Sequence, residues 1–199
     1  MKTMPKNNHL TESLLTNDTL TSTTNLRATV YCALFTALII VGGYISIPIP
    51  IGPVPIVLAD FFIMLAGLFL GFKYGLISVT LYLALGAIGL PVFAGGAAGL
   101  PIFFGPTGGF LFGYLFLASS VGLITHKWKS TIITHLVALI IGNILLYSLG
   151  VSWLKFQTSM SWAVAIATGF LPFIIGTIIK ISVVIALGRT LLPNFKLDQ

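Results

Sequence analysis

Residues 56–90 read IVLADFFIMLAGLFLGFKYGLISVTLYLALGAIGL, and this stretch decides the fold. It holds two apolar runs, 56–71 and 74–90, separated by Phe72 and Lys73 alone. Each run approaches the roughly 17–25 residues that a helix needs to cross a hydrocarbon core of about 30 Å. Two such helices joined by so short a link form a tight hairpin within a membrane. Four further apolar runs, at 28–47, 107–125, 131–154 and 171–191, bring the expected total to six spans. The predicted fold is therefore all-α, a compact bundle of six transmembrane helices.

Composition agrees. Of the 199 residues 57% are hydrophobic and 7% charged, and mean hydropathy is +1.07. A soluble domain carries about a quarter charged residues to cover itself. Residues 1–26, rich in Thr and Asn, read as a flexible tail, with 27–192 as the membrane domain and 193–199 as a second tail. Between the first two spans, prolines at 48, 50, 53 and 55 forbid helix and favour an extended loop. The run PVFAGGAAGLPIFFGPTGG at 91–109 is rich in glycine and proline yet apolar, so it is expected to fold back onto the bundle. Residues 155–170 have room for a short interfacial helix.

The net charge of +6 would raise nucleic acid as a partner in a soluble protein. Here the basic residues stand singly or in pairs between apolar runs, which is a topology signal. Six spans put both termini on one side. Placing that side in the cytoplasm leaves only Lys155 outside and Lys180 within a span, which fixes the expected orientation. The single cysteine, Cys32, allows no intrachain disulfide, and His9, His126 and His135 are scattered, so neither a disulfide framework nor a zinc site is available. No P-loop, H-E-x-x-H or nucleophile–base constellation occurs, so no enzyme is expected.

Few residues remain to carry chemistry. Asp60 is the one acidic residue in an apolar run, and Lys180 lies about 14 Å along the sixth span from Leu171. An ionisable group at such depth costs roughly 2.5–3.5 kcal/mol on insertion scales, so it is normally paired or functional. Lys180 can snorkel, pair with Asp60, or meet a ligand anion. Asn143, with Tyr147 and Gly150 on the same face of span five, can bind a ligand bearing N–H and C=O groups or hydrogen-bond between helices. Tyr82, Gly86 and Gly89 form a similar face in span three, where close packing is the simpler reading. Trp153 falls where an aromatic belt residue is expected. Ala33 and Ala37 in span one form a small-residue row beside Ala28, Cys32 and Thr36. Such a row suits close approach of a helix from this chain or from another protein.

Several strings carry a resemblance. Pro53-Val54-Pro55-Ile56 leads into Leu65-Ala66-Gly67; GAIGLPVFAGG spans 86–96; GPTGGF spans 105–110. With the Tyr147–Gly150–Trp153 pattern and Leu171-Pro172-Phe173 before Lys180, they make the chain similar to the BioY family over nearly everything after residue 26. That family comprises the biotin-binding S components of energy-coupling-factor (ECF) transporters.

The resemblance implies six helices in a bacterial plasma membrane and a biotin pocket near the external face. Loops after spans one and three, with Phe93 among the wrapping aromatics, would cap it. It also implies partners, a transmembrane coupling (T) component and two ABC-type ATPases that use the ATP, met partly through Ala33 and Ala37. No cofactor is implied. Biotin offers a carboxylate for Lys180, an apolar tail and ring for aromatic and glycine-rich loops, and a ureido group for Asn143 with Asp60. The family often has Asp three residues before the span-six lysine, where this chain has Thr177, and Gln-Thr where it has Ala59-Asp60; we read Asp60 as the replacement acceptor. The competing class is a self-sufficient proton-coupled carrier of a vitamin-like carboxylate, with Asp60 as the proton site. The lack of an internal repeat counts against it.

Overall fold

The computed structural model describes residues 8–128 and 131–195. Six α-helices follow one another: α1 (Asn8–Tyr44), α2 (Ala59–Ala87), α3 (Gly108–Lys127), α4 (Ile132–Thr158), α5 (Trp162–Gly169) and α6 (Phe173–Leu191). Five are long and apolar enough to cross a membrane, α1 through its Leu26–Tyr44 portion, with α2, α3, α4 and α6. The chain is an all-helical membrane protein.

α2 is two helices in one. At Gly71 the backbone takes φ 72° and ψ −169°, a conformation closed to side-chain-bearing residues. The chain reverses there, and Gly75 comes back against Ala66 and Gly67, where a Cβ would lie 3.1 Å from the Ala66 carbonyl oxygen. The arms 59–70 and 72–87 are the expected hairpin, turned one residue earlier than Phe72. Counted separately, they bring the apolar segments to six.

Other boundaries differ by a few residues. α1 stops at Tyr44, since Ser46–Ile47 (β1) pairs antiparallel with Ile56–Val57 (β2), Ser46 opposite Val57 and Ile47 opposite Ile56. α3 continues through His126 and Lys127, expected as a turn. α4 runs to Thr158 and ends at Ser159 in the left-handed region, φ 55°. α5 is the short helix expected within 155–170, its first turn capped by the Ser161 hydroxyl, which accepts from the Val164 N–H at 3.4 Å. α1 begins at Asn8, so helix occupies most of the stretch read as a tail, and residues 1–7 lie outside the described part. At the other terminus Phe195 packs against Tyr31 and Phe69, with ring centroids 4.8 and 5.3 Å apart, so the bundle extends past 192.

The bundle has two unlike ends. At one, Gly122 meets the reversal at 71–72, and Gly188 meets Leu68 and His135. By their places in the elements, Lys73 follows the reversal, Lys127 ends α3, Arg189 follows Gly188, and Arg27 lies at the start of the spanning part of α1, all towards that end. At the other lie the β1–β2 loop and the segment 88–107, a cap built of two 3-10 turns, Ala94–Gly96 and Leu100–Ile102. Positive φ at Gly89, Gly95, Gly96 and Gly99 explains why the cap is so glycine-rich.

Candidate ligand cavity

Beneath the cap, helices and loops enclose a cavity of about 350 Å³, within the 300–1,000 Å³ range of small-molecule sites. Its floor is polar at one point. Asp60 sits in the first turn of α2, near the positive end of the helix dipole, which favours a carboxylate. Lys180, on the third turn of α6, reaches it. Its Nζ donates to Asp60 Oδ1 at 2.7 Å, Asp60 Oδ2 at 2.9 Å and the Val57 carbonyl at 2.7 Å. An ammonium has three donors, so protein acceptors take all of them. The pair is largely sequestered, with side-chain exposures of 11% for Lys180 and 7% for Asp60.

The remaining wall is mostly apolar. Phe93 descends from the cap and is 1% exposed. Its ring occupies the space that a side chain at Gly86 would need, edge-on to Tyr82 and Phe103 with both centroids at 5.5 Å. Phe110, Tyr114, Tyr147 and Phe173 also line the cavity. Thr177 steadies Tyr147, their hydroxyl oxygens lying 2.6 Å apart. The result is an aromatic-lined, partly open cavity with one charge-balanced donor–acceptor pair.

The sequence model of the BioY family matches residues 12–196, nearly the whole chain. The chain belongs to the BioY family. It is 43% identical over 174 residues to the biotin transporter BioY of Thermotoga maritima, covering 87% of this chain and all of that one. It is 37% identical to the biotin transporter BioY of Lactococcus lactis, over 86% of this chain and 94% of the other. The crystal structure of the S-component for biotin from an ECF-type ABC transporter superposes with a TM-score of 0.80 at 36% identity, covering 85% of this chain and 92% of that one. These relatives are transport proteins rather than enzymes, and this chain is a multi-pass membrane protein of their kind.

Of the site residues expected in this BioY-family chain, Asp60, Lys180, Tyr82, Tyr147 and Phe93 all reach the cavity wall. Asn143 does not. It lies one turn, about 5–6 Å, deeper than Tyr147. Its amide donates to the Leu139 carbonyl at 2.8 Å and approaches Met64 Sδ at 3.3 Å, while its buried Oδ1 has no partner among the described residues. It occupies the packing layer below the floor. The two small rows of α1 separate: Ala28, Cys32 and Thr36 are buried, with the Thr36 hydroxyl donating to the Ser78 carbonyl at 3.1 Å, whereas Ala33 and Ala37 are exposed.

Trp153 is also more than a belt residue. It is half-buried, and its indole N–H donates to the Gly105 carbonyl in the cap at 2.9 Å. Sequence reasoning overlooked Phe173, Tyr114 and the Val57 carbonyl. Phe173, Thr177 and Lys180 stand at i, i+4 and i+7, and Phe110 and Tyr114 at i and i+4, so helical periodicity would have found both faces. A backbone carbonyl leaves no such trace.

Proposed function

We propose that this chain is the biotin-capturing S component of an ECF-type ABC transporter. It would take biotin from outside for import driven by a coupling component and two ATPases. The observation that carries the reading is the Asp60–Lys180 pair on the floor of an otherwise aromatic chamber in a BioY-family chain. Family membership also favours this reading over the self-sufficient carrier. Basic residues at the end opposite the cap favour a cytoplasmic position for that end and for both termini, so the cap faces outward, where a scavenged vitamin arrives.

The pair also suggests an orientation. Asp60 already neutralises Lys180, so a ligand carboxylate would gain little there and would meet the Asp60 charge as well. A cyclic urea suits the pair better: its N–H groups can donate to Asp60 while its uncharged carbonyl takes the place of one of the three Lys180 acceptors. The ureido head then sits at the floor and the valerate carboxylate points towards the mouth. Tyr82, Phe93 and Phe110 pack the thiophane ring and tail. This reverses the sequence-based expectation for Lys180 while keeping it in the site.

Calorimetry on the purified protein in detergent tests both statements. Biotin should bind saturably without ATP or a partner. Biotin amide should stay within about tenfold of it, whereas a ureido N-methyl analogue should lose about tenfold to a hundredfold, the worth of a charge-assisted hydrogen bond. No saturable biotin binding by folded protein sinks the function, and the opposite ranking of the analogues sinks the orientation.

The exposed Ala33–Ala37 row is the surface we assign to the coupling component, since small residues let a foreign helix approach closely. Ala37→Leu should leave biotin affinity within about twofold and abolish ATP-driven uptake in vesicles carrying the whole transporter. Uptake at the unmutated rate would move the interface elsewhere.

A further inference from the structure

We propose that Trp153 is a positioning residue that latches the cap over the cavity and so sets how fast ligand enters and leaves. The proposal builds on the biotin-binding reading. The second half of the cap, 100–107, is stitched internally by successive turns: the Phe103 N–H donates to the Leu100 carbonyl at 3.0 Å, and the Gly105 N–H to the Ile102 carbonyl at 3.2 Å. Such bonds keep its shape but do not fix it to the bundle. Among the described residues, the bond from Trp153 to Gly105 is the one hydrogen bond joining 100–107 to an element other than the adjoining α3.

The indole is seated for this task. Gly109 faces it without a side chain, and a Cβ there would overlap Trp153. Its ring leans on Phe112 (centroids 6.1 Å apart), Phe112 on Phe103 (5.7 Å), and Phe103 on Phe93 in the cavity wall (5.5 Å). Gly105, Pro106 and Thr107 line the cavity themselves. A single side chain on α4 therefore holds the cap by a hydrogen bond and backs its aromatic series. The first half of the cap is fastened separately, by the Gly99 N–H to the Gly86 carbonyl at 2.8 Å and by the Tyr44 hydroxyl to the Pro91 carbonyl. The latch thus controls the segment 100–107 specifically.

Both partners of the bond are protein groups, and ligand supplies neither. Loosening it lowers the barrier to opening equally for entry and exit. Trp153→Phe keeps an aromatic ring against Phe112 and removes the N–H. Stopped-flow measurements with biotin should show association and dissociation rate constants both rising about threefold to tenfold, as expected for one hydrogen bond, with Kd within about twofold. A merely structural role would weaken Kd or lower the melting temperature without raising association. Trp162→Phe, the same change at an exposed tryptophan on α5, should alter neither rate.

Hydrogen exchange without biotin reads the latch independently. In Trp153→Phe the amides of Ile102, Phe103 and Gly105 should exchange faster by a similar factor. Unchanged exchange overturns the latch whatever the ligand does. Faster exchange with unaltered biotin rates, or a weaker Kd at unchanged association, overturns its control of ligand passage. A failure of the unmutated protein to bind biotin at all would count against the functional reading, and exchange would still decide the latch.

Discussion

The two walls of the cavity are built on opposite principles. The cap wall is fastened by rings and backbone carbonyls, with Phe93 locked between Gly86, Tyr82 and Phe103. The α6 wall stands mostly outside the protein: 17% of its spanning stretch is buried, against 67% for α2, and Ile175, Ile178 and Ile179 are 73%, 61% and 59% exposed. Within a bilayer those isoleucines gain nothing by turning inward, because lipid tails are as apolar as the bundle. What ties α6 to its neighbours is a single face: Phe173 on Phe110 and Tyr147, Thr177 on Tyr147, Lys180 on Asp60 and Val57, then buried Val184 and, against Leu68, Gly188. The two charges lining the site therefore also tether the least buried of the spanning helices. On the α6 wall the groups we propose for recognition also attach a helix through polar contacts; on the cap wall Phe93 is held by ring packing.

The largest effect should come from cutting that tether. Asp60→Ala strands the Lys180 ammonium with one carbonyl partner, and breaking a sequestered pair from one side costs about 3–5 kcal/mol. Thermal unfolding in detergent should show a steep loss of stability. Adding Lys180→Met removes the orphaned charge, because an apolar replacement of a buried pair is often neutral. The double variant should regain most of the stability but not biotin affinity. Recovery of both would show the pair to be purely structural, and full stability of Asp60→Ala would erase the contrast between the walls.

On the cap side the corresponding cut is Phe93→Ala. Removing so deeply buried a ring costs about 3 kcal/mol where loops can partly collapse into the space. Biotin affinity should fall with it, since the ring lines the cavity proposed for biotin. Gly86→Leu added to Phe93→Ala should restore part of the stability by filling the vacated volume, measured by the same unfolding assay. If instead the two changes add, the ring and the glycine are not packed as a pair.

The contrast also explains what could be read from sequence. The spans, the hairpin after 71 and the special standing of Asp60 and Lys180 were legible because a charge or a break in a long apolar run costs too much to be incidental. The folding back of 91–109 was legible because an apolar glycine-rich loop does not stay in water, whereas Phe93 itself came from the family resemblance. Asn143 misled for a related reason. A mid-span amide must satisfy its hydrogen bonds somewhere, and here its own helix takes the donor one turn back, so depth alone could not separate wall from packing layer. The small rows of α1 share one spacing, yet one is buried and the other open. Spacing describes what a face permits, and only the bundle decides what meets it. Trp153 was read by its height in the membrane, which says nothing of a cap carbonyl brought near by a loop 48 residues away in sequence.

The smallest effect probes the middle of the α6 face. Thr177→Val keeps the shape of the side chain and removes the 2.6 Å bond to Tyr147. A neutral hydrogen bond contributes about 0.5–1.5 kcal/mol net, well below the ion pair one turn further along. Tyr147 would keep a possible partner in ligand or water, because it stands on the cavity wall, so biotin affinity should shift by less than about threefold. Tyr147→Phe should cost a similar amount, and the double variant little more than either, giving a coupling close to the single cost. Unfolding measurements on the four proteins of this cycle decide how attachment is shared along α6. A cost for Thr177→Val rivalling that of Asp60→Ala would mean that hydroxyls hold the helix as firmly as charges do. The pair could then be spared for the ligand alone, and the two walls would differ in chemistry but not in how they are fastened.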